Sequence, residues 1–476
     1  MQCFGENGLI KKAQQAQELH EQGKQKEQND LGVYEEYIDK ELNNGNYQDK
    51  YLDNTLPVSP RLAEGMTKVK YNSSTGKWEK VTDDTTAWYN YASDKKEWAN
   101  VVLGDATFNS DGTLDETKPY SQLVWIPRFA YQIITLYHTA SDSAGNINVV
   151  FIDENNQNKD KTTTYSTTYP NATAGSTTGM SDYVVHPAFD YDGKHLAGFW
   201  IGKFESSHTG CTTDVTTGQA DFTGNEVMTI KANVTSWRNQ TISQVFTTCL
   251  SMNKSGNPYG LNSSDAVVDP HMVKNDEWGA VVYLSKSIYG KNTEEVYINN
   301  SSTFITGNSG STSDATSASG ITNKYNTQNG MKASTTGTIY GVYDMSGGNW
   351  EKVAAYVNNG HGYLATYGSS LVNAASKYKN VYTATDTNGN DSQSGNYNLS
   401  IPANGNYGDA VYETSSSYTD QNAWYKDYSD FPHTDGPFFA RGGDCSNTSG
   451  AGAFSFYRSP GGVYASDGFR VVVPVL

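Results

Sequence analysis

The chain lacks any apolar run near the ~18 residues that a membrane-crossing helix needs, and no signal peptide is legible at its start. Cysteine is scarce. The four thiols, Cys3, Cys211, Cys249 and Cys445, show neither CxxC nor CxxH spacing, so zinc and thioredoxin-like chemistry have no support. A Cys211–Cys249 bridge and a pair of buried thiols both remain open readings. Charge is thin, at 18% of residues, and acidic in balance, with 34 Lys+Arg against 51 Asp+Glu and a net charge of -17. Such a chain repels phosphate backbones, which argues against nucleic acid as a partner, while divalent cations stay compatible with it. Helix-forming Leu, Lys and Glu are sparse after the first fifty positions, whereas Tyr reaches 34 and Gly 45. That balance favours a β-rich, loop-heavy, extracellular type of protein, with length enough for about three domains.

Residues 6–42 differ from the rest. Leu9, Ala13, Ala16 and Leu19 form one apolar stripe among Lys, Gln and Glu, which predicts a helix, and Tyr34, Tyr37 and Ile38 continue the pattern. The segment Phe4-Gly-Glu-Asn-Gly-Leu-Ile-Lys-Lys-Ala-Gln-Gln-Ala resembles the stretch that follows the membrane helix of type IV pilin-like proteins. The resemblance implies a cleaved leader and an apolar helix before it; both are missing here, so a truncated or processed form is expected. Residues 1–44 are therefore expected to be a pilin-like helical segment.

Residues 45–118 carry a small internal repeat, in which Tyr71, Trp78 and Val81 match Tyr91, Trp98 and Val101 at equal spacing. Each copy reads as a β-hairpin with aromatics flanking a polar turn, and the stretch as a structural spacer. The main domain is expected over 119–476. It opens with strands at 124–134, with Pro127 at an edge or bulge, and continues through strands near 149–152 and 196–205. Two packing helices are predicted. One runs over 235–250 with Trp237, Ile242, Val245, Phe246 and Cys249 on one face; the other spans 271–285, capped by Asn275 or Asp276, with Trp278, Val281, Val282 and Leu284 inward. Residues 301–338, rich in Ser, Thr, Gly and Asn, read as a surface loop. His186 and His195 stand far from any second ligand and read as structural; His361 and His433 have no serine motif beside them.

The most specific motif is 341–351, Gly-Val-Tyr-Asp-Met-Ser-Gly-Gly-Asn-Trp-Glu. Two carboxylates, Asp344 and Glu351, stand seven residues apart across a glycine turn whose carbonyls could converge with them, a pattern suited to Ca2+ and its hard oxygen ligands. The motif resembles the Gly-Leu-Tyr-Asp-Met-Ser-Gly-Asn-Val-Trp-Glu signature of the formylglycine-generating-enzyme family, a branch of the C-type-lectin-like folds. Trp237, Glu277-Trp278, Arg441-Gly-Gly and Gly468-Phe-Arg470 follow in that family's order, so the resemblance covers roughly 120–476. It implies an α+β, C-type-lectin-like domain and a structural calcium ion held by Asp344, Gly347, Asn349 and Glu351, although Gly348 replaces the usual Asn.

The family's oxidases hold copper through two thiolates after Arg-Gly-Gly. The matching positions here are Asn447 and Gly452, and the single thiol, Cys445, is offset from both. A copper-dependent oxidase is thus the disfavoured alternative and no enzymatic activity is expected. The chain also resembles the variable proteins of diversity-generating retroelements, which carry a hypervariable segment between Arg-Gly-Gly and a closing Gly-Phe-Arg. Here that segment is 441–470. The resemblance implies a displayed surface made of Asp444, Cys445, Ser446, Asn447, Ser449, Ser455, Tyr457, Arg458, Ser459, Val463 and Tyr464, with Arg441 and Arg470 holding the scaffold. Tyr and Arg suit rigid anchoring, Ser and Asn adaptable hydrogen bonding. The expectation is a ligand-binding protein of the cell surface or pilus, meeting a protein or glycan on host or bacterial surfaces, or pilus subunits. A purely structural pilus subunit is the other alternative.

Overall fold

Short runs of aromatic and β-branched residues, punctuated by Gly, Asn and Asp, fold into strands and leave few helices, so the protein is a β-rich α+β structure. The computed structural model describes residues 47–48, 55–83, 87–172, 179–213, 226–314, 318–384, 393–398 and 406–476. The chain divides into two units, Met1–Tyr47 and Gln48–Leu476. The helix expected within 1–44 lies outside the described residues, and everything below concerns the second unit.

The strands used here are β1 (Thr67–Asn72), β2 (Lys77–Lys80), β3 (Asn100–Val102), β4 (Gln122–Pro127), β5 (Phe129–Ile133), β6 (Ile147–Phe151), β7 (Val184–Val185), β8 (Gly198–Gly202), β9 (His271–Met272), β10 (Trp350–Asn358), β11 (Asn380–Thr383), β12 (Phe438–Arg441), β13 (Phe456–Ser459), β14 (Asp467–Phe469) and β15 (Val471–Val473). A seven-stranded sheet has the order β9-β15-β8-β4-β3-β1-β2. A second sheet runs β11-β10-β12-β13, with β14 also pairing β10, and β6-β5-β7 form a third. Pro127 ends β4, and the chain passes from the first sheet into the third at Arg128.

The first repeat copy is a hairpin, β1–β2, with Tyr71 opposite Trp78 and their rings 5.4 Å apart edge to face. The second makes a single bridge, Asn90 to Glu97, and stacks Tyr91 on Trp98. Strands from the expected spacer and from the expected main domain share the seven-stranded sheet. Trp78 Nε1 donates to the Tyr325 hydroxyl at 3.2 Å and Asn100 Nδ2 to the Tyr340 carbonyl at 2.9 Å.

Two longer helices pack beside the sheets. The first, α1 (Ile242–Leu250), starts seven residues later than the sequence suggests. Ser236 and Trp237 instead donate their N–H groups to the carbonyls of Phe304 and Ser206, and Trp237 is buried outside the helix. Thr241 and Gln244 form a capping box that fixes the true start. The second, α2 (Asn275–Ser285), is buried on every side. Its N-cap is Lys274 rather than Asn275 or Asp276, and the Lys274 N–H donates to Glu277 Oε2 at 2.9 Å. Gly279 is required there, because a Cβ would stand 1.9 Å from the Gly408 carbonyl oxygen.

The 301–338 stretch is a surface loop only in its middle, where the described residues of 310–332 other than Tyr325 and Gly330 are exposed or half-buried, while its two ends turn inward. Ser301, Thr306, Asn308, Ser309 and Tyr325 are buried, as are residues 333–336. The polar groups there are spent inside, as when Thr306 Oγ1 donates to the Lys231 carbonyl at 2.6 Å. Among the described residues no helix is long and apolar enough to cross a membrane.

Candidate functional site

The C-terminal segment is hung from two buried arginines. Arg441, at the end of β12, donates from Nε to the Ser455 carbonyl (2.8 Å), from one terminal nitrogen to Asn275 Oδ1 and the Asp409 carbonyl (3.1 and 2.8 Å), and from the other to the Ala410 carbonyl (2.9 Å). Arg470, after β14, grips both oxygens of Glu351 at 3.1 and 2.6 Å and donates to the carbonyls of Gly202 and Tyr343 at 2.7 and 2.9 Å. A planar guanidinium satisfied this fully is a clamp rather than a ligand contact. Between the clamps, Gly442 and Gly443 at φ +87° and +72° turn the chain away from β12, and β13 returns antiparallel along it, Ala440 opposite Tyr457. Beyond β13 the backbone is pinned to the start of α1, where Ile242 N–H donates to the Gly461 carbonyl and Asn239 N–H to that of Tyr464.

The four residues expected to hold calcium do come together, but as a site they do not fit the ion. Both Glu351 oxygens are taken by Arg470, whose positive charge occupies the place beside that carboxylate. Asp344 accepts from Asn299 Nδ2 and from the Gly307 N–H, at 2.9 to 3.0 Å. The Asn349 side-chain amide donates to Glu205 and to Ser236 Oγ. The Gly347 N–H bonds the Gly442 carbonyl, and the Gly348 carbonyl accepts from Cys445 N–H. Sites for a hard dication need free carboxylate and carbonyl oxygens; here all four carboxylate oxygens are committed to protein donors, and the buried, unpartnered Asn349 Oδ1 is a single neutral oxygen beside them. Burial pushes the carboxyls of Glu205, Asp344 and Glu351 above their usual range, and for Glu205 the neighbouring Asp344 and Glu351 charges add to it. Gly348, at φ +71°, leaves room for Glu205, since a Cβ there would lie 2.6 Å from its Oε1.

The eleven surface candidates divide in two. Ser446, Ser449, Val463 and Tyr464 are exposed, and Asp444, Asn447, Tyr457 and Arg458 are half-buried. Cys445, Ser455 and Ser459 are buried and do not belong to the displayed set. Ser455 Oγ donates to the Gly450 carbonyl and Ser459 Oγ accepts from Gly461 N–H, so both hydroxyls hold the loop's own backbone. Burial, with the Asp444 and Glu205 charges adding, pushes the Cys445 thiol up to about 12. Cys211 and Cys249 do not bridge each other.

The outward side chains meet partners that local sequence reading missed. Tyr457 lies 5.4 Å from Trp350 and 5.8 Å from Tyr428, ring centre to ring centre. Arg458 pairs through Nε with Asp430 at 3.2 Å and reaches Asp435 at 3.4 Å and His433 Nε2 at 3.2 Å. Tyr464 covers the Lys352 ammonium, 5.6 Å from its ring centre, and that ammonium also pairs with Asp467 at 2.7 Å. Five large hydrophobic side chains are exposed among the described residues, and two of them, Val463 and Tyr464, are neighbours here. Tyr428, Asp430 and His433 sit on the loop after residue 406; its Tyr and Asp content was the only signal for them.

No family model matches the chain, and no curated protein matches it. Among solved structures it is similar to the Major Tropism Determinant P3c variant, at 14% identity and a TM-score of 0.22, over 89% of this chain and 74% of that one. The M1 and U1 variants are similar at 13% identity and TM-scores of 0.24, each over 89% of this chain and 75% of theirs. Likeness at that level carries no weight for fold or function.

Proposed function

We propose that the protein is a non-enzymatic, adhesin- or receptor-type binder, displayed at a cell surface or pilus, whose C-type-lectin-like domain presents residues 444–464 to a ligand. The observation that carries this reading is the division of labour within the segment. Its inward groups, Arg441, Ser455, Ser459 and Arg470, close the frame through buried hydrogen bonds. Its outward groups, Ser446, Ser449, Tyr457, Arg458, Val463 and Tyr464, are exposed or half-buried on one stretch of chain. A rigid frame offering apolar, aromatic and small polar side chains to solvent is the construction of a recognition surface. The order of the 341–351 motif, Arg441-Gly-Gly and Gly468-Phe-Arg470 supports the lectin-like assignment.

The test is a screen of the whole chain against glycan arrays, host proteins and bacterial surfaces, repeated with those six outward residues changed to Gly or Ser. Binding is expected to disappear in the changed protein while its melting temperature holds. Binding that survives the replacement excludes the segment as the site.

A further inference from the structure

The surface does not end with the C-terminal segment. Tyr428 belongs to the preceding loop, yet its ring stands 5.8 Å from that of Tyr457 and 6.3 Å from Trp350. The backbone joins them as well: Asp430 N–H donates to the Phe456 carbonyl, and Phe456 N–H to that of Tyr428. The face is therefore composite, half from residues 420–435 and half from 457–464.

Its charge is lopsided. Burial raises the Tyr428 and Tyr457 hydroxyls above their ordinary range, and the charges that add to it are those of Asp420 and Asp430 for the first and Asp430, Asp435 and Asp467 for the second. Against these four carboxylates stand Arg458 and the buried Lys352, which leaves a surplus of two negative charges. Asp435 is two-thirds exposed and only touches Arg458, and Asp420 is exposed. Half-open tyrosine rings under a negative field attract cations twice over, through the ring faces and through the carboxylates. Val463 and Tyr464 beside them add apolar area that a lone metal ion or small amine would not use. A neutral glycan stacks on tyrosines but gains nothing from the surplus charge.

We propose that the face made by Tyr428, Tyr457 and Tyr464 takes a polypeptide segment bearing arginine or lysine side chains, the cations lying over the rings toward Asp420 and Asp435. The proposal rests on the reading of 444–464 as a recognition surface and names what it recognises.

Fluorescence anisotropy on the whole chain tests it, with a labelled nonapeptide of repeating Arg-Tyr-Gly, the same peptide with Glu for Arg, and a labelled neutral glucan oligosaccharide as probes. The Arg peptide is expected to bind, more weakly as salt rises, and the Glu peptide not to bind. Asp420→Asn with Asp435→Asn, and separately Tyr428→Ala, should each weaken the Arg peptide by about fivefold or more. The charge-matched control, Asp94→Asn with Asp160→Asn, removes two exposed carboxylates from outside residues 420–464 and should leave it unchanged. Equal loss in the control means the overall negative charge is responsible and overturns the proposal. So does tighter binding of the glucan or of the Glu peptide. If the glucan binds and the 444–464 replacement abolishes that binding, the recognition surface stands and only the cationic occupant falls.

Discussion

His186 shows what one side chain's burial does to the whole protein. It packs among Phe129, Tyr131, Phe189 and Tyr283, and its Nδ1 accepts from Ala188 N–H. Burial lowers its pKa to about 3, against 6.5 for a free imidazole. Between those values the unfolded chain binds the proton and the folded one does not. Stability should therefore fall as pH drops below 6.5, by up to about 1.4 kcal/mol per pH unit from this group. Urea unfolding at pH 7, 6, 5 and 4 measures it. His186→Asn, which keeps an acceptor for Ala188, should flatten that limb relative to the native chain; an unchanged slope rejects the assignment. Thiol labelling gives a second residue-scale test. Cys445, with its raised pKa and burial, should resist iodoacetamide at neutral pH in the folded protein and react once unfolded. The sequence placed Cys445, Ser455 and Ser459 with the displayed residues because small polar side chains serve equally well inside a loop and outside it. Their burial tells the two apart, and it could not be read locally, since the hydroxyls' partners, Gly450 and Gly461, lie within the loop itself.

At the scale of elements, the glycine turn at 344–351 was legible as a special structure, with Asp344 and Glu351 at its two ends. Its occupant was not, because Arg470 lies 119 residues from Glu351 and Asn299 lies 45 from Asp344. Long-range partners decide whether two carboxylates make a metal site or an ion pair. With the guanidinium in place, a chelator should leave the melting temperature unchanged, while Glu351→Gln should cost about 3–5 kcal/mol by leaving Arg470 buried without its counter-charge. Thermal unfolding with and without EDTA, on both proteins, reads the two effects. A melting temperature that drops with EDTA in the native chain and not in the variant would restore the metal. The helices were found as well, but the α1 start was placed too early because Trp237 fits an amphipathic face as well as it fits the extended backbone it adopts.

For the whole molecule, composition announced the β-rich class, since few strong helix formers and many tyrosines leave little else to build with. Where one module ends and the next begins was harder to read. Strands β1 to β3 share a sheet with β4, Val101 opposite Leu123, and the buried Trp78 and Trp98 of that stretch bond to Tyr325 and to the Tyr289 carbonyl. A fragment limited to 119–476 would bare the β4 edge and the apolar surface those tryptophans cover. It should be insoluble or lack a cooperative melt, whereas 55–476 should melt cooperatively; circular dichroism of the two fragments decides. The arginine clamps have a consequence of another kind. Their bonds run to backbone carbonyls and to Asn275 and Glu351, none of them supplied by an outward side chain of the 444–464 stretch. Tyr457, Val463 and Tyr464 can thus be exchanged without touching a bond of either clamp, which separates the upkeep of the frame from the make-up of the face it carries.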